Sequence, residues 1–183
     1  FNREDVKFEL FKKLVSKGSI VRAIITKDTN TKPRAFFDNI DKWAKDEGSS
    51  GLAYFTLEKE DNKISGKGPI GKFFSTEACQ EIMKISNAEI GDSIFFACGQ
   101  KKDVEKLLSL ARDKIAKDLN IIDQNLFAFC WIVDYPMYET DDKTGKIKFS
   151  HNPFSMPQGD INTLNLKGLL RFNAVSYTHL TLP

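Results

Sequence analysis

The side chains best suited to chemistry lie in one short stretch, residues 131–158. Asp134, Glu139, His151 and Asn152 stand around two strand-like segments joined by a turn. A proline follows Asn152 and restricts its backbone to extended conformations. Side chains where a strand meets a loop are well placed to face a ligand, and a histidine there can donate to a carboxylate or accept from an ammonium group. Local chemistry leaves two interpretations of His151 open, a ligand contact or a histidine satisfied within the fold.

Other kinds of catalytic site find little support. The chain has two histidines, His151 and His179, and no nucleophile elbow, so serine-triad chemistry is not expected. We predict a hairpin or loop over residues 58–71. Its three glycines at positions 66, 68 and 71 lack the Lys-Ser/Thr pair that completes a phosphate loop, so we expect a flexible turn there. Three lysines in the same region could touch RNA phosphates, although we expect a solvated face.

Composition places the chain among globular proteins. Hydrophobic residues make up 41% and charged residues 28% of its 183 residues, and the 27 basic and 25 acidic side chains leave a net charge of +2. That balance does not mark the whole chain as a nucleic-acid binder. Cys79, Cys98 and Cys130 lack metal or redox spacing, so we expect free thiols in a reducing cytoplasm. No apolar run reaches the about 20 residues that span a bilayer.

Strand and helix patterns alternate through the first 115 residues. We predict strands at 6–10, 20–26, 52–57 and 93–97, the second and fourth of them buried, and a helix that ends at Gly18. Helices should begin at Pro33 and Ser75, and a third carries the clearest apolar stripe. The inward faces are predicted to be Phe36, Phe37, Ile40, Trp43 and Ala44; Ala78, Ile82 and Ile85; and Val104, Leu107, Leu108, Ala111 and Ile115. This order favours a sheet covered by helices.

The pattern changes after Leu119, so we place a domain boundary near residues 116–125. Residues 126–133 are almost wholly apolar and predict a central strand buried on both faces. Residues 141–145 predict a turn, and residues 146–150 alternate as a returning strand. An antiparallel hairpin of a second unit is expected here.

Two strings in this second unit carry a family resemblance. Residues 131–139 (WIVDYPMYE) and 150–157 (SHNPFSMP) resemble segments of bacterial-type aspartyl-tRNA synthetases at similar spacing. Upstream, residues 51–54 (GLAY), 68–73 (GPIGKF) and 91–96 (GDSIFF) resemble the GAD domain, which these enzymes share with the amidotransferase B subunit. The resemblance covers residues 6–167.

The resemblance implies an α+β fold, a GAD-like sheet covered by helices followed by an antiparallel hairpin of a class II synthetase catalytic sheet. Residues 6–118 would be the GAD-like insert and residues 119–167 part of the catalytic domain. By the same resemblance His151 hydrogen-bonds the substrate L-aspartate, with Asn152, Asp134 and Glu139 as supporting pocket residues. Asn152 stands where part of the family has a second histidine.

The resemblance also implies what lies elsewhere. The parent enzyme uses ATP and Mg²⁺ and charges tRNA(Asp); whether it also charges tRNA(Asn) stays open. It is a cytoplasmic enzyme that does not bind membranes, and it is usually a homodimer. The family's ATP-binding arginines and magnesium carboxylates are absent from this sequence. We therefore expect no catalytic residue, metal site or bound cofactor in this chain, and no activity from it alone.

The two ends of the chain suggest a fragment. It begins at Phe1 and not at methionine, and residues 168–183 depart from the family pattern. The end of that segment resembles a tail that recurs on misassembled sequences, so we expect it to be non-native.

The alternative function is a non-catalytic GAD-type module that binds RNA or protein, as in the amidotransferase B subunit.

Overall fold

A computed structural model describes residues 4–60, 62–127, 129, 135–141, 143–150, 155–158 and 173–176. The chain divides into two compact units, residues 1–124 and 125–183. The described elements of the first unit are α1 (Glu9–Ser16), β1 (Ile20–Thr26), α2 (Arg34–Asp46), β2 (Ala53–Glu60), β3 (Lys63–Lys67), α3 (Thr76–Ser86), β4 (Ser93–Gly99) and α4 (Lys101–Asp118), with a 3₁₀ turn at Gly71–Phe73.

An antiparallel four-stranded sheet forms the centre of the first unit, in the order β1-β4-β2-β3. Tyr54 of β2 is in register with Phe95 of β4, and Ala53 with Phe96. Successive side chains of a strand point to opposite faces of a sheet, so Phe95 and Phe96 enter different cores. Both faces of the sheet are therefore buried.

Helices cover both faces. On one side α2 and α4 pack over Tyr54 and Phe95, and on the other α1 and α3 pack over Phe55, Ile94 and Phe96. The predicted α2 and α4 stripes supply the first core: Phe37, Ile40, Ala44 and all five α4 positions are buried. The predicted sheet covered by helices is confirmed.

Local signals explain where the helices begin and end. The Ser75 hydroxyl accepts a hydrogen bond from the backbone N–H of Ala78 at 3.0 Å, which caps α3 as predicted. Gly48 follows α2 with φ of +83°, a conformation that glycine adopts without a Cβ clash. Pro33 stands at the N-cap of α2, one position before the helix.

Three local predictions for the first unit are wrong. Residues 6–10 do not form a strand: only Val6 makes a bridge, to Phe74, and α1 begins at Glu9. Phe8 and Phe11 explain the change, because helical spacing brings their rings to 4.7 Å and into the core. Ile85 of α3 is 77% exposed, and Cys79 is buried among the core residues of that helix. Strand β1 is an edge strand, so it is only partly buried.

Residues 58–71 form a hairpin, the first of the two alternatives that we predicted, and its glycines are packed and do not form a flexible turn. Strand β3 pairs with β2, and the 3₁₀ turn folds back onto β3. A Cβ at Gly71 would stand 2.0 Å from the carbonyl oxygen of Gly66. The two backbones therefore approach more closely than any side chain would permit, which explains why glycine occupies these positions.

The described strands of the second unit are β5 (Tyr135–Pro136), β6 (Tyr138–Thr140), β7 (Ile147–Phe149), β8 (Ser155–Gln158) and β9 (Asn173–Ser176). Strands β5 and β8 both pair with β9, and β6 pairs with β7. The predicted returning strand is confirmed, with β6 as its partner.

The predicted central strand at residues 126–133 is wrong for the residues that can be checked. Leu126, Phe127 and Phe129 lie outside any strand and are exposed, Phe129 to 97%. A strand buried on both faces needs a covering layer on each side, and nothing described covers these residues. The other residues of the segment lie outside the described ranges.

Candidate functional site

The β6–β7 hairpin precedes the predicted substrate residue. Tyr138 faces Phe149 with ring centroids 5.8 Å apart, and Lys148 Nζ lies 3.2 Å from Glu139 Oε1 and 3.5 Å from Asp141 Oδ2. Cross-strand pairs of this kind stabilise an antiparallel ladder. The hydrogen bond from Lys148 to Glu139 and the two carboxylate charges raise the pKa of the Lys148 ammonium group.

Asp141 shapes the turn of this hairpin. One carboxylate oxygen accepts hydrogen bonds from the backbone N–H groups of Thr144 and Lys143 and from the Thr144 hydroxyl, at 2.8 to 3.0 Å. These bonds to the charged form hold the pKa of the Asp141 carboxyl below its usual range. Gly145 completes the turn with φ of +66°.

The end of β7 is anchored to the strand that precedes the hairpin. The Ser150 N–H donates to the Met137 carbonyl at 3.0 Å, and its hydroxyl donates to the Pro136 carbonyl at 2.8 Å. Met137 itself is buried. Three hydrogen bonds from Ser150 to the carbonyls of Pro136 and Met137 therefore hold the end of β7.

Only one of the four predicted pocket residues lies within the described ranges. His151, Asn152 and Asp134 lie outside them. Glu139 is described: its side chain is 53% exposed and paired with Lys148. The roles of all four toward L-aspartate stay predictions.

The strings that resemble the GAD domain converge in the first unit. The Leu57 N–H donates to the Asp92 carbonyl and the Gly91 N–H donates to the Leu57 carbonyl, both at 2.8 Å. Gly68 approaches the backbone of Tyr54 and Phe55 so closely that a Cβ there would stand 3.1 to 3.2 Å away. Strand pairing thus gathers three separated strings around β2.

Asp92 is the most buried carboxylate in this region, with 1% exposure. It accepts hydrogen bonds from Lys27 Nζ at 2.8 Å and from the backbone N–H groups of Glu89 and Asp28 at 2.8 and 3.1 Å. Burial alone would raise the pKa of this carboxyl, but these bonds and the Lys27 charge outweigh burial and lower the pKa. Local sequence does not reveal this burial, since Gly91-Asp92 by itself predicts only a turn.

The described residues offer little conventional catalytic chemistry. Within the described ranges, no three His, Cys, Asp or Glu side chains are grouped to hold a metal ion. Cys79 and Cys98 are free thiols, as predicted, and burial raises the pKa of Cys79 to about 11. Among the described residues, no helix combines the length and the apolar character needed to cross a membrane.

Curated proteins similar to this chain include the aspartate–tRNA(Asp/Asn) ligases of three bacteria. The chain is 67% identical over 97% of its length to the aspartate–tRNA(Asp/Asn) ligase of Pelagibacter ubique. It is 42% identical to the ligases of the same name from Gluconobacter oxydans, over 94% of this chain, and Beijerinckia indica, over 97%.

The matches cover only part of each relative. The chain spans about 30% of the length of the Pelagibacter and Beijerinckia ligases and 28% of the Gluconobacter ligase. The Pelagibacter match extends over 177 residues, so it reaches into residues 168–183. That segment contains β9.

A family match agrees with the strand pairing around β2. The GAD domain family matches residues 11–108, which run from α1 into α4 and include all four strands of the first sheet. This match covers more than half of the sequence and contains the three GAD-like strings. The chain therefore belongs to the GAD domain family.

Proposed function

We propose that this chain is an internal segment of an aspartate–tRNA ligase, which attaches aspartate to tRNA at the expense of ATP. The observation that carries the proposal is the 67% identity to the Pelagibacter ligase across nearly the whole chain. The GAD match alone would also fit a non-catalytic binding module. The two strings at residues 131–139 and 150–157 favour the ligase, because the amidotransferase subunit is not expected to carry them.

The two units would have different roles in that enzyme. Residues 6–118 would be the GAD insert, and residues 119–167 would be part of the class II catalytic domain. The paired β6–β7 hairpin supports the second assignment, since the class II fold is an antiparallel sheet. The non-native origin of residues 168–183 stays a prediction. Sequencing of the gene beyond codon 167 tests it.

The proposed substrates are L-aspartate, ATP and tRNA(Asp), with tRNA(Asn) as a second acceptor. The names of the relatives, which give tRNA(Asp/Asn), support the second acceptor. We propose that ATP and Mg²⁺ are held by parts of the ligase outside this chain, and that the whole ligase is a cytoplasmic homodimer. Charging of both purified tRNA transcripts by the whole ligase tests the acceptor range; charging of tRNA(Asp) alone would contradict it.

The chain's own contribution would be to position aspartate. A histidine donates to a carboxylate, and hydrogen bonds to charged groups contribute about 1.5–3 kcal/mol. His151 directly follows Ser150, whose two bonds to the preceding strand hold the end of β7. Such anchoring fixes the end of β7 beside the proposed contact, and a fixed support is what a positioning contact requires.

The chain alone is expected to show no aspartate-dependent exchange of pyrophosphate into ATP. Activation needs arginines and metal that stabilise charge on the phosphates, and we assign these to the remainder of the ligase. The whole ligase, assayed beside the chain, is the positive control. Exchange by the purified chain above the background of a preparation lacking it would refute the expectation.

Replacing His151 by alanine in the whole ligase should raise the KM for aspartate about tenfold to a hundredfold. The KM for ATP should change little, because the lost hydrogen bond is to the amino acid. Replacement of Lys143, an exposed side chain in the turn of the hairpin, by alanine is the matched control and should leave both constants near their original values. An unchanged aspartate KM in the folded His151 variant would remove this residue from the pocket.

A further inference from the structure

A cavity of about 320 Å³ lies in the first unit, between α1, α2 and the start of β2. Its walls are mainly apolar and include Leu10, Leu14 and Pro69. The polar groups among them include the carboxylates of Asp38 and Asp41 and the phenol of Tyr54. Pockets of this size accommodate small organic groups. The composition predicts a ligand with an apolar stem and a positive head.

Tyr54 contributes a phenol hydroxyl to the lining of this cavity. The side chain is 8% exposed, and its ring stacks on Phe37 at 4.4 Å and contacts Phe95 at 5.9 Å. Within the described residues its hydroxyl makes no hydrogen bond, whereas buried hydroxyls are normally paired. Burial, and then the charge of Asp38, raise the pKa of the phenol, so the group stays neutral, and its oxygen can accept a hydrogen bond from an N–H donor.

The two carboxylates of the cavity differ in how well they are satisfied. Asp41 accepts from the Leu52 N–H at 2.9 Å and from Lys45 Nζ at 2.6 Å. Among the described residues, Asp38 has a single, exposed ion pair, to Arg34 Nε at 3.4 Å on the same helix. Exposed pairs of this kind contribute little, so a better-placed cation can replace Arg34.

We propose that this cavity binds a guanidinium group carried on a short alkyl stem, of the size of an arginine side chain. The head would lie between Asp38 and the Tyr54 hydroxyl, and the stem would lie against Leu10, Leu14 and Pro69. A guanidinium is planar and weakly hydrated, and it presents several donors at once. It therefore suits a carboxylate and a phenol at the edge of an apolar cavity better than an ammonium group does.

The test is a titration of the isotope-labelled full chain with n-butylguanidinium, followed by amide chemical shifts in NMR. Saturable shifts are expected for the amide signals of Gly51, Ala53 and Ile70, which line the cavity. Asp38→Asn should weaken binding about tenfold and Tyr54→Phe about fivefold, while Arg34→Gln should strengthen it about twofold. The shape-matched anion butyrate should cause no saturable shift.

Asp46→Asn is the matched control, since this carboxylate lies on the same helix outside the cavity. The affinity of this variant for n-butylguanidinium should equal that of the unchanged chain. Tyr54→Phe keeps the ring stacking, and it should not lower the Tm, because the hydroxyl it removes is unpaired. A blocked Gly-Arg-Gly peptide separates two sources: binding as tight as that of butylguanidinium indicates an arginine of another protein, and weaker binding indicates a free small cation. The absence of saturable shifts with both probes, or equal affinities for the Asp38, Tyr54 and unchanged chains, would overturn the proposal.

Discussion

Replacing Gly71 by alanine should lower the free energy of unfolding of the first unit by about 3 kcal/mol. The added Cβ would stand 2.0 Å from the Gly66 carbonyl oxygen and 2.3 Å from its carbon. Both are backbone atoms, so no side chain can rotate away to relieve the clash. The 3₁₀ turn must separate from β3, and the packing of Ile70 and Phe73 in the adjacent core is lost with it.

Amide hydrogen exchange of β4 measures this change, because a central strand exchanges through opening of the whole unit. Gly99→Ala is the matched control: a Cβ there meets only Val104 Cγ2 at 3.5 Å, an ordinary contact. That substitution should be close to neutral, since it adds no clash and restricts the unfolded chain. Equal exchange rates in the two variants would show that the Gly66–Gly71 contact does not constrain the fold.

Replacing Asp92 by alanine should also cost about 3 kcal/mol. The buried carboxylate accepts from two backbone N–H groups and from Lys27, and its removal leaves those N–H groups without their acceptor. Lys27 contributes less to the loss, because its ammonium group is half exposed and can be solvated. Urea denaturation at neutral pH measures the difference in the free energy of unfolding, and exchange of the β4 amides measures it independently. Asp46→Ala is the control, and an equally small effect in both variants would contradict the assigned role.

The same carboxylate should make stability depend on pH in acid. The pKa of Asp92 is lowered in the folded chain, so its contribution is fully present above the ordinary aspartate pKa, about 3.9. The contribution is lost as the pH falls below that value and through the folded-state pKa. Asp92→Asn, which keeps the shape and cannot ionise, should therefore lose less stability than the unchanged chain between pH 5 and pH 3 or so. Identical acid dependence of the two chains would show that Asp92 is not the group responsible.

The elements with strong local signals were predictable. The α4 stripe from Val104 to Ile115, the Ser75 cap of α3 and the β-branched run of β1 each depend on neighbours within one or two turns. The α1 segment shows the limit of such signals. Alternation at Val6, Phe8 and Leu10 fits a strand, and packing of the Phe8 and Phe11 rings selects the helix.

The candidate residues of the second unit were found in another way. His151, Asn152 and Asp134 were selected by their residue types and by a resemblance of short strings, not by any geometry. Strand β7 was predictable because it follows a turn that contains Asp141 and Gly145, which favour reversal of the chain. The ladder partner of β7 was not predictable, since several nearby apolar segments could have paired with it.

The sequence by itself determined the GAD family, the helical stripes and the existence of a hairpin after residue 135, because each is written in residues that are close along the chain. The tertiary structure alone decided that Gly66 touches Gly71, that Asp92 is buried under Lys27, and that Tyr54 and Asp38 share a cavity. Asp92 and Lys27 are 65 positions apart, and such pairs meet only after strand order and register have been set. Burial and contact across a sheet depend on every element at once, so no local pattern encodes them.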